Sequence, residues 1–262
     1  MRRFVINNHK GGSGKTTTAV NLAAALAEQG KKVLLVDLDP QGSASIWFGL
    51  NRMYNDPGLF DLSIGWEAIP RLAKRTKTAN LDIIPNMKVP NRHSQQMREH
   101  ASQGMILKEK FGKLAPGYYD YVLFDCSPGL NLVTLNALIA ADELLIPIVA
   151  HYLVLNGVIS LLETIQAIKA KLNPELHISG VLPSRIDPEV KHTMEVLDLL
   201  LTKFGKLVYS TYIREDIKLA ECPSFTKTIL QYSSQSKGAR DFRSLAKEVI
   251  AQEGKYRSKE SS

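Results

Sequence analysis

Short runs of almost entirely apolar residues recur along this 262-residue chain. They occupy residues 4–7, 33–36, 81–84, 121–124, 144–148, 178–182 and 207–209. Such runs are typical of strands that are buried on both faces, and helical stretches between several of them supply the crossovers. The pattern predicts an α/β fold with a doubly wound, mainly parallel sheet flanked by helices. In such sheets ligands bind beyond the carboxyl ends of the strands.

The segment between the first predicted strand and the first predicted helix is rich in glycine and lysine. It reads Asn8-His9-Lys10-Gly11-Gly12-Ser13-Gly14-Lys15-Thr16-Thr17. The general phosphate-loop pattern is G-x-x-x-x-G-K-[ST], and His9 stands at its first glycine position. The variant K-G-G-x-G-K-[ST] begins at Lys10 and matches at every position. We therefore predict a deviant phosphate loop.

The surroundings of this loop suit phosphate binding. Residues 4–7 read as a buried strand that enters the loop, and residues 16–29 read as a helix that leaves it. Gly30 follows the helix where a left-handed capping residue is expected. Backbone N–H groups of the loop and the helix N-terminus would surround the phosphates, Lys15 would neutralise them, and the Thr16 hydroxyl would bind Mg²⁺.

Three carboxylates follow apolar runs and are candidates for the chemistry around the phosphates. Asp37 and Asp39 alternate as the second predicted strand ends, so at most one points directly at the γ-phosphate. The other would serve Mg²⁺-bound water or a local turn. Asp125 ends the run at 121–124 and suits the outer Mg²⁺ environment.

The charge distribution favours a polyanionic partner without identifying it. The formal net charge is +7, and such an excess promotes binding to polyanions. Residues 71–113 hold ten Lys/Arg against three Asp/Glu, and residues 203–247 hold nine against four. Either cluster could equally be an ordinary solvated surface.

We expect a single domain over residues 1–253, followed by a polar, disordered tail over residues 254–262. No stretch approaches the roughly 20 apolar residues that span a bilayer, and the start shows no signal-peptide pattern. A cytoplasmic protein is therefore expected. The two cysteines, Cys126 and Cys222, are too few for a disulfide framework or a four-thiolate metal site within one chain.

The motifs together resemble those of the ParA/MinD family of deviant-Walker ATPases, which have the P-loop NTPase fold. The match is closest to the short ParA (Soj-type) branch. It rests on residues 10–17, on Asp37-Leu38-Asp39-Pro40-Gln41-Gly42, on Asp125-Cys126-Ser127-Pro128, and on later segments at 135–138, 213–224 and 236–239. The resemblance covers the chain apart from residues 50–115 and the tail.

The resemblance implies roles for individual residues around ATP and Mg²⁺. Lys10 would cross a homodimer interface to the partner's phosphates, and Lys15 would bind the β- and γ-phosphates of its own ATP. Thr16 would ligate Mg²⁺. The loop residues expected to wrap the phosphates are Gly11, Gly12, Ser13, Gly14, Lys15, Thr16 and Thr17.

It also implies roles for the carboxylates. Asp39 would position the attacking water, while Asp37 and Asp125 would reach Mg²⁺ through water. Arg185 and Ile213 follow later strands, and we name them as adenine contacts on that position alone.

The C-terminal region favours DNA over a membrane as the binding partner. A membrane-surface helix needs large apolar residues on one face, but the closing nine residues contain one aromatic and no aliphatic residue. The helix predicted over 237–252 instead has basic residues at three- and four-residue spacing opposite an apolar stripe. The expected DNA contacts are Lys203, Lys206, Arg214, Lys218, Lys237, Arg240, Arg243 and Lys247.

Three functions follow as hypotheses. The first is an ATP-dependent dimer that binds nonspecific DNA on the nucleoid, hydrolyses ATP slowly, and is released by a ParB-like or other small adaptor protein. It would position a DNA or protein cargo whose identity the sequence leaves open. The second is a membrane-associated MinD-like regulator. The third is a metabolic P-loop ATPase that does not bind DNA.

Overall fold

The computed structural model describes residues 1–50, 68–86, 105–149 and 154–253, with residues 154–157 described by their backbone alone. Eight strands in these ranges form one sheet in the order β3-β4-β2-β5-β1-β6-β7-β8. They are β1 (Arg2–Ile6), β2 (Val33–Asp37), β3 (Lys74–Arg75), β4 (Leu81–Ile84), β5 (Tyr121–Asp125), β6 (Glu143–Val149), β7 (His177–Ile186) and β8 (Ile213–Arg214). All pairings are parallel except that of β3 with β4. The predicted fold class is confirmed.

Helices cover both faces of the sheet. They are α1 (Lys15–Glu28), α2 (Ser43–Trp47), α3 (Ile69–Leu72), α4 (Ile106–Gly112), α5 (Leu132–Ala140), α6 (Val154–Lys171), α7 (Lys191–Phe204), α8 (Ile217–Glu221), α9 (Ile229–Tyr232) and α10 (Lys237–Ala251). Phe4 and Ile6 of β1 belong to the apolar cluster that includes α1 and α10, whereas Val5 belongs to the cluster on the opposite face. Because side chains alternate along a strand, the six strands other than β3 and β8 contribute to both cores.

The prediction of a strand at residues 207–209 is largely wrong. Gly205–Leu207 form one turn of 3₁₀ helix, and Val208 makes an isolated parallel bridge to Val181. Tyr209 is buried because its ring lies against Gly180, where a Cβ atom would come within 2.5 Å of it. Side-chain packing therefore accounts for this apolar run, and the neighbour of β7 is β8.

Residues 43–80 and 86–113, which lie between the apolar runs of β2, β4 and β5, contain regular elements where the structure describes them. These are α2, α3, β3 and α4. The remainder of both regions, residues 51–67 and 87–104, lies outside the described residues, as does the predicted tail at 254–262.

Arg2 joins the central strand to the last helix. Its guanidinium donates hydrogen bonds to both carboxylate oxygens of Glu143, at 2.6 and 2.8 Å, and to the carbonyl oxygen of Val249 in α10 at 2.6 Å. The same group lies over the rings of Phe4 and Tyr121. The two ends of the described chain are therefore fixed to each other beneath the sheet.

The carboxyl ends of β1, β2 and β5 lie side by side because β5 pairs with both of the other strands. Asp37 and Asp125 are direct register partners, and Ile6 stands opposite Asp125 on the other side. The glycine-rich loop and the carboxylates thus meet at one edge of the sheet.

Candidate nucleotide site

The loop after β1 has the backbone shape that its glycines permit. Gly12 and Gly14 have φ angles of 71° and 84°, in the left-handed region that is costly for residues with a Cβ atom. Gly14 caps α1, and its carbonyl oxygen accepts a hydrogen bond from the Thr18 N–H group at 2.8 Å. The N-terminus of α1 is thereby presented to the cavity beside it.

The two lysines of the loop occupy different environments. The Lys15 side chain is buried, and its Nζ donates a hydrogen bond to the carbonyl oxygen of Lys10 at 3.0 Å. Burial lowers the pKa of Lys15, while the nearby Asp125 and Asp39 carboxylates act against that shift. Lys10 is exposed. One ammonium group therefore lies within the site and the other is accessible to a second molecule.

Asp37 and Asp125 form a buried pair of like charges beneath the loop. Asp37 accepts hydrogen bonds from the Ser45 N–H and hydroxyl groups at 2.8 and 2.6 Å, and from the Asp39 N–H group at 3.1 Å. Burial raises the pKa of Asp37 to about 6 against the effect of these donors. Burial and the charge of Asp37 also raise the pKa of Asp125, with Thr16 and Lys15 opposing the rise.

This pair fits a hydrated Mg²⁺ ion. Neither oxygen of the fully buried Asp125 has a hydrogen-bond partner among the described residues. The described residues contain no cluster of three His, Cys, Asp or Glu side chains suited to a metal ion. Mg²⁺ commonly keeps several waters and binds one or two protein groups together with substrate phosphates. The Thr16 hydroxyl and the two carboxylates supply the oxygen groups that such an ion requires.

Asp39 lines the cavity, and neighbouring groups fix its backbone. Its carboxylate accepts a hydrogen bond from the Gln41 N–H group at 2.8 Å, which closes a short turn. The side-chain amide of Asn86, just after β4, donates to the carbonyl oxygen of Asp39 at 2.7 Å. The Asn86 N–H group donates to the Ser45 hydroxyl at 2.9 Å. One polar network therefore connects Asp37, Asp39 and the end of β4.

Sequence reasoning missed the asparagines that support the site. Asn7 donates to the carbonyl oxygen of Ser127 at 3.2 Å, and Asn8 donates to that of Pro147 at 2.8 Å. Like Asn86, they directly follow an apolar run. The detectable signal was a polar residue at the carboxyl end of a predicted strand, where ligands and their supporting groups gather.

A cavity of about 800 Å³ extends from the loop toward the ends of β7 and β8. Both Arg185 and Ile213 line it, as Asp39 does. Arg185 has a φ angle of 56°, which is uncommon outside glycine, and its guanidinium pairs with Glu215 at 3.1 Å. The structure thus brings both expected adenine contacts to the cavity that holds the phosphate loop, and their contact with adenine stays a prediction.

Half of the basic residues expected to contact DNA are engaged within the protein. Ion pairs join Arg214 to Asp241 at 2.7 Å, Arg243 to Glu28 at 2.6 Å and Lys218 to Glu221 at 3.2 Å. Arg240 donates to the carbonyl oxygen of Gln235. The other four, Lys203, Lys206, Lys237 and Lys247, are exposed. Arg214 also lines the nucleotide cavity. We call the surface formed by these eight basic residues the basic ridge. Its positive charge is partly neutralised by carboxylates of the protein itself.

Among the described residues, every helix is either too short or too polar to cross a membrane.

Comparison with known proteins assigns the chain to a family. Residues 1–178 match the family described as AAA domain. The chain is 36% identical over 254 residues to the chromosome partitioning protein ParA of Caulobacter vibrioides (97% of this chain, 95% of the relative). It is 40% identical over 251 residues to the chromosome-partitioning ATPase Soj of Thermus thermophilus (96% of each).

One solved structure of similar fold contains a bound ATP analogue and magnesium. The protein is described as cobyrinic acid a,c-diamide synthase from Mycobacterium smegmatis with bound ATP analogue and magnesium. Its TM-score is 0.83 at 30% identity, over 96% of this chain and 95% of that one. Similarity of this extent, in a chain whose phosphate loop carries both lysines, shows that the protein belongs to the ParA/MinD family of deviant-Walker P-loop ATPases.

Proposed function

We propose that this protein is a dimeric positioning ATPase that binds nonspecific DNA in its ATP-bound form and is released when an adaptor stimulates hydrolysis. The observation that carries the proposal is the contrast between the two loop lysines. Lys15 is buried in its own site, whereas the exposed Lys10 is available to the phosphates of a second subunit.

ATP and Mg²⁺ occupy the cavity at the carboxyl edge of the sheet. The N–H groups of residues 11–17 wrap the phosphates, and Lys15 exchanges its hydrogen bond with the Lys10 carbonyl for the β- and γ-phosphates. Thr16 would ligate Mg²⁺, and Asp37 and Asp125 would hold the ion through water. A bound Mg²⁺ would lower the pKa values of Asp37 and Asp125, because its positive charge would offset the repulsion between the two carboxylates.

Hydrolysis requires alignment and charge neutralisation more than covalent chemistry. Asp39 positions the attacking water from a loop that Asn86 and Gln41 fix in place. Lys10 of the partner subunit neutralises the charge that develops on the transferred phosphoryl group. Hydrolysis is slow in the isolated subunit because this cation is supplied only in the dimer.

DNA binding rests on phosphate neutralisation and is independent of sequence. The protein is therefore cytoplasmic and associated with the nucleoid. The names of the Caulobacter and Thermus relatives refer to chromosome partitioning. A ParB-like or other small adaptor protein would link this chain to a DNA or protein cargo and accelerate release.

Binding to random-sequence duplex DNA tests the proposal. The affinity is measured with ATP–Mg²⁺ and with ADP–Mg²⁺, each at two salt concentrations. We expect binding that requires ATP and weakens steeply with salt. Equal binding with both nucleotides would contradict nucleotide control, and absence of binding with both would reject DNA as the matrix.

The similarity to the Mycobacterium protein favours one alternative, a metabolic synthase that consumes ATP on a small organic acceptor. Such an enzyme would increase its ATP turnover when an acceptor carboxylic acid and an amide donor are added. DNA would leave its turnover unchanged. Measuring ATP hydrolysis with DNA and, separately, with such acceptors distinguishes the two functions.

A further inference from the structure

A groove lies at the amino-terminal edge of the sheet, opposite the nucleotide cavity. It is bounded by Lys32 before β2, by residues 75–82 around the β3–β4 turn, and by residues 115–119 before β5. We call it the basal groove. Its volume is about 870 Å³, within the range of about 300 to 1,000 Å³ that is usual for ligand sites.

Hydrogen bonds fix the walls of the basal groove. The Thr76 hydroxyl donates to the carbonyl oxygen of Leu81 at 2.8 Å and accepts from the Thr78 N–H group at 3.0 Å. On the facing wall, the Tyr118 N–H group donates to the carbonyl oxygen of Ala115 at 3.1 Å. The groove is therefore a preformed feature of the fold.

The charge of the groove is predominantly positive. Lys32, Arg75 and Lys77 are exposed, and none forms an ion pair within the described part of the chain. The carboxylate that lines the groove is Asp82, which accepts a hydrogen bond from the Tyr119 hydroxyl at 2.8 Å. The cations are thus left for an external anion.

This arrangement differs from that of the basic ridge near α10. There Arg214 and Arg243 each have a carboxylate partner within 2.7 Å. A paired cation must give up its partner, or share it, to bind a phosphate. An unpaired cation binds a phosphate without breaking an ion pair, so the release of condensed counterions contributes fully to the affinity for the nucleic acid.

An aromatic ring stands beside the cations. Tyr118 is 44% exposed and meets Tyr119 edge to face, with ring centroids 5.1 Å apart. A basic groove with an accessible aromatic ring is the combination that binds single-stranded nucleic acid, because bases stack on the ring while cations follow the backbone.

We propose that the basal groove binds the phosphate backbone of DNA, with Tyr118 stacking on an exposed base. The inference rests on the proposed function, in which DNA is the matrix. It adds a second contact surface, at the amino-terminal edge of the sheet, whereas the nucleotide cavity is at the carboxyl edge. Arg75 and Lys77 contact adjacent phosphates, and Lys32 closes the groove.

The test compares two variants of the full-length protein that have the same net charge. Arg75→Gln with Lys77→Gln removes two groove cations. Lys169→Gln with Lys171→Gln removes two exposed cations of α6 outside the groove. Binding to duplex DNA, to single-stranded DNA and to vesicles that contain anionic lipid is measured in ATP–Mg²⁺ across a salt series.

We expect the groove variant to bind at least about tenfold more weakly than the control, with a salt slope smaller by about 2. Tyr118→Ala should weaken binding to single-stranded DNA by roughly five- to a hundredfold and affect duplex DNA less. ATP affinity and the unfolding temperature should match the wild type. Should the groove variant be less stable, Lys32→Gln with Lys77→Gln replaces it.

The outcomes separate this inference from the proposed function. If the wild type binds DNA and the groove variant behaves as the control does, the groove assignment is wrong while the proposed function stands. If the wild type binds no DNA in ATP, both are wrong. If the groove variant loses binding only to anionic lipid vesicles, the ligand is a membrane surface and the DNA assignment is overturned.

Discussion

The side-chain amide of Asn86 donates a hydrogen bond of 2.7 Å to the backbone carbonyl oxygen of Asp39. Through this bond the end of β4 fixes the loop on which the proposed water-positioning carboxylate depends. Asn86→Ala should lower kcat for ATP hydrolysis roughly tenfold, because small misplacements of a catalytic group are costly. The Kd for ATP should not change, since Asn86 does not line the cavity. Steady-state hydrolysis and equilibrium nucleotide binding check both values.

Asn173→Ala is the matched control for that variant. Asn173 is also buried and donates to the carbonyl oxygens of Leu138 and Ala141, away from the site. Leaving such acceptors unpaired costs about 1–3 kcal/mol of unfolding free energy. A fall in kcat as large in Asn173→Ala as in Asn86→Ala would show that Asn86 acts only through stability.

Lys10 and Lys15 should separate two steps of the ATPase cycle. Lys15→Ala should abolish nucleotide binding because it removes the cation inside the site. Lys10→Ala should bind ATP normally. Its rate of ATP hydrolysis in the dimer should fall roughly a thousandfold, as expected when a cation supplied in trans is removed. A fluorescent ATP analogue and phosphate release with DNA present measure the two effects. Undiminished hydrolysis in Lys10→Ala would exclude the trans role.

Asp39→Ala should hold the protein on DNA. Without its carboxylate the attacking water is not oriented, whereas the phosphate loop and Mg²⁺ groups remain intact. We expect ATP-dependent DNA binding that persists after a chase with excess ADP, together with loss of phosphate release. If phosphate release continues at the wild-type rate, another group positions the water.

Glu143 should make the stability of the fold depend on pH. Burial acts to raise its pKa, but the nearby His177 ring, 3.7 Å away, and the hydrogen bonds from Arg2 lower it below the usual value of 4.5. A carboxyl with a lowered pKa stabilises the fold above its unfolded pKa, and this contribution is lost as the pH falls through the folded value. Glu143→Gln should reduce the unfolding free energy by about 3 kcal/mol at neutral pH.

The difference between Glu143→Gln and the wild type should shrink as the pH is lowered below 4.5, the pKa of the unfolded carboxyl, and through the lower folded pKa. Denaturant unfolding at a series of pH values measures it, with the exposed Glu163→Gln as control. A destabilisation that is constant with pH would show that packing, and not the charge of Glu143, is responsible.

The sequence predicted the sheet well because a strand buried on both faces is apolar throughout. Residues 207–209 satisfy the same pattern, yet they are buried by packing between Tyr209 and Gly180. Residues 180 and 209 are distant in the sequence, so the local apolar pattern gives no indication of this contact.

The candidate site shows the same limit. The phosphate loop, Asp37, Asp39 and Asp125 were predictable because each motif marks the end of an apolar run. Asn86 and Ser45 were not, since their importance lies in tertiary bonds: Asn86 reaches Asp39 from the end of β4, and Ser45 reaches Asp37 from α2. Likewise, helical spacing placed Arg243 on a basic ridge but could not show its partner Glu28, which belongs to α1.

The bond from Arg2 to Val249 has a consequence for synthesis on the ribosome. The apolar face of α1 is covered by α10, which is translated near the end of the described chain. Arg2 forms its bond to Val249 only when the same helix is present. While α10 is still inside the exit tunnel, the first helix has no partner for that face, and exposed apolar surface of this kind invites aggregation. The nucleotide loop emerges early but gains its rigid support late, so a nascent chain cannot become a working ATPase before α10 has left the exit tunnel.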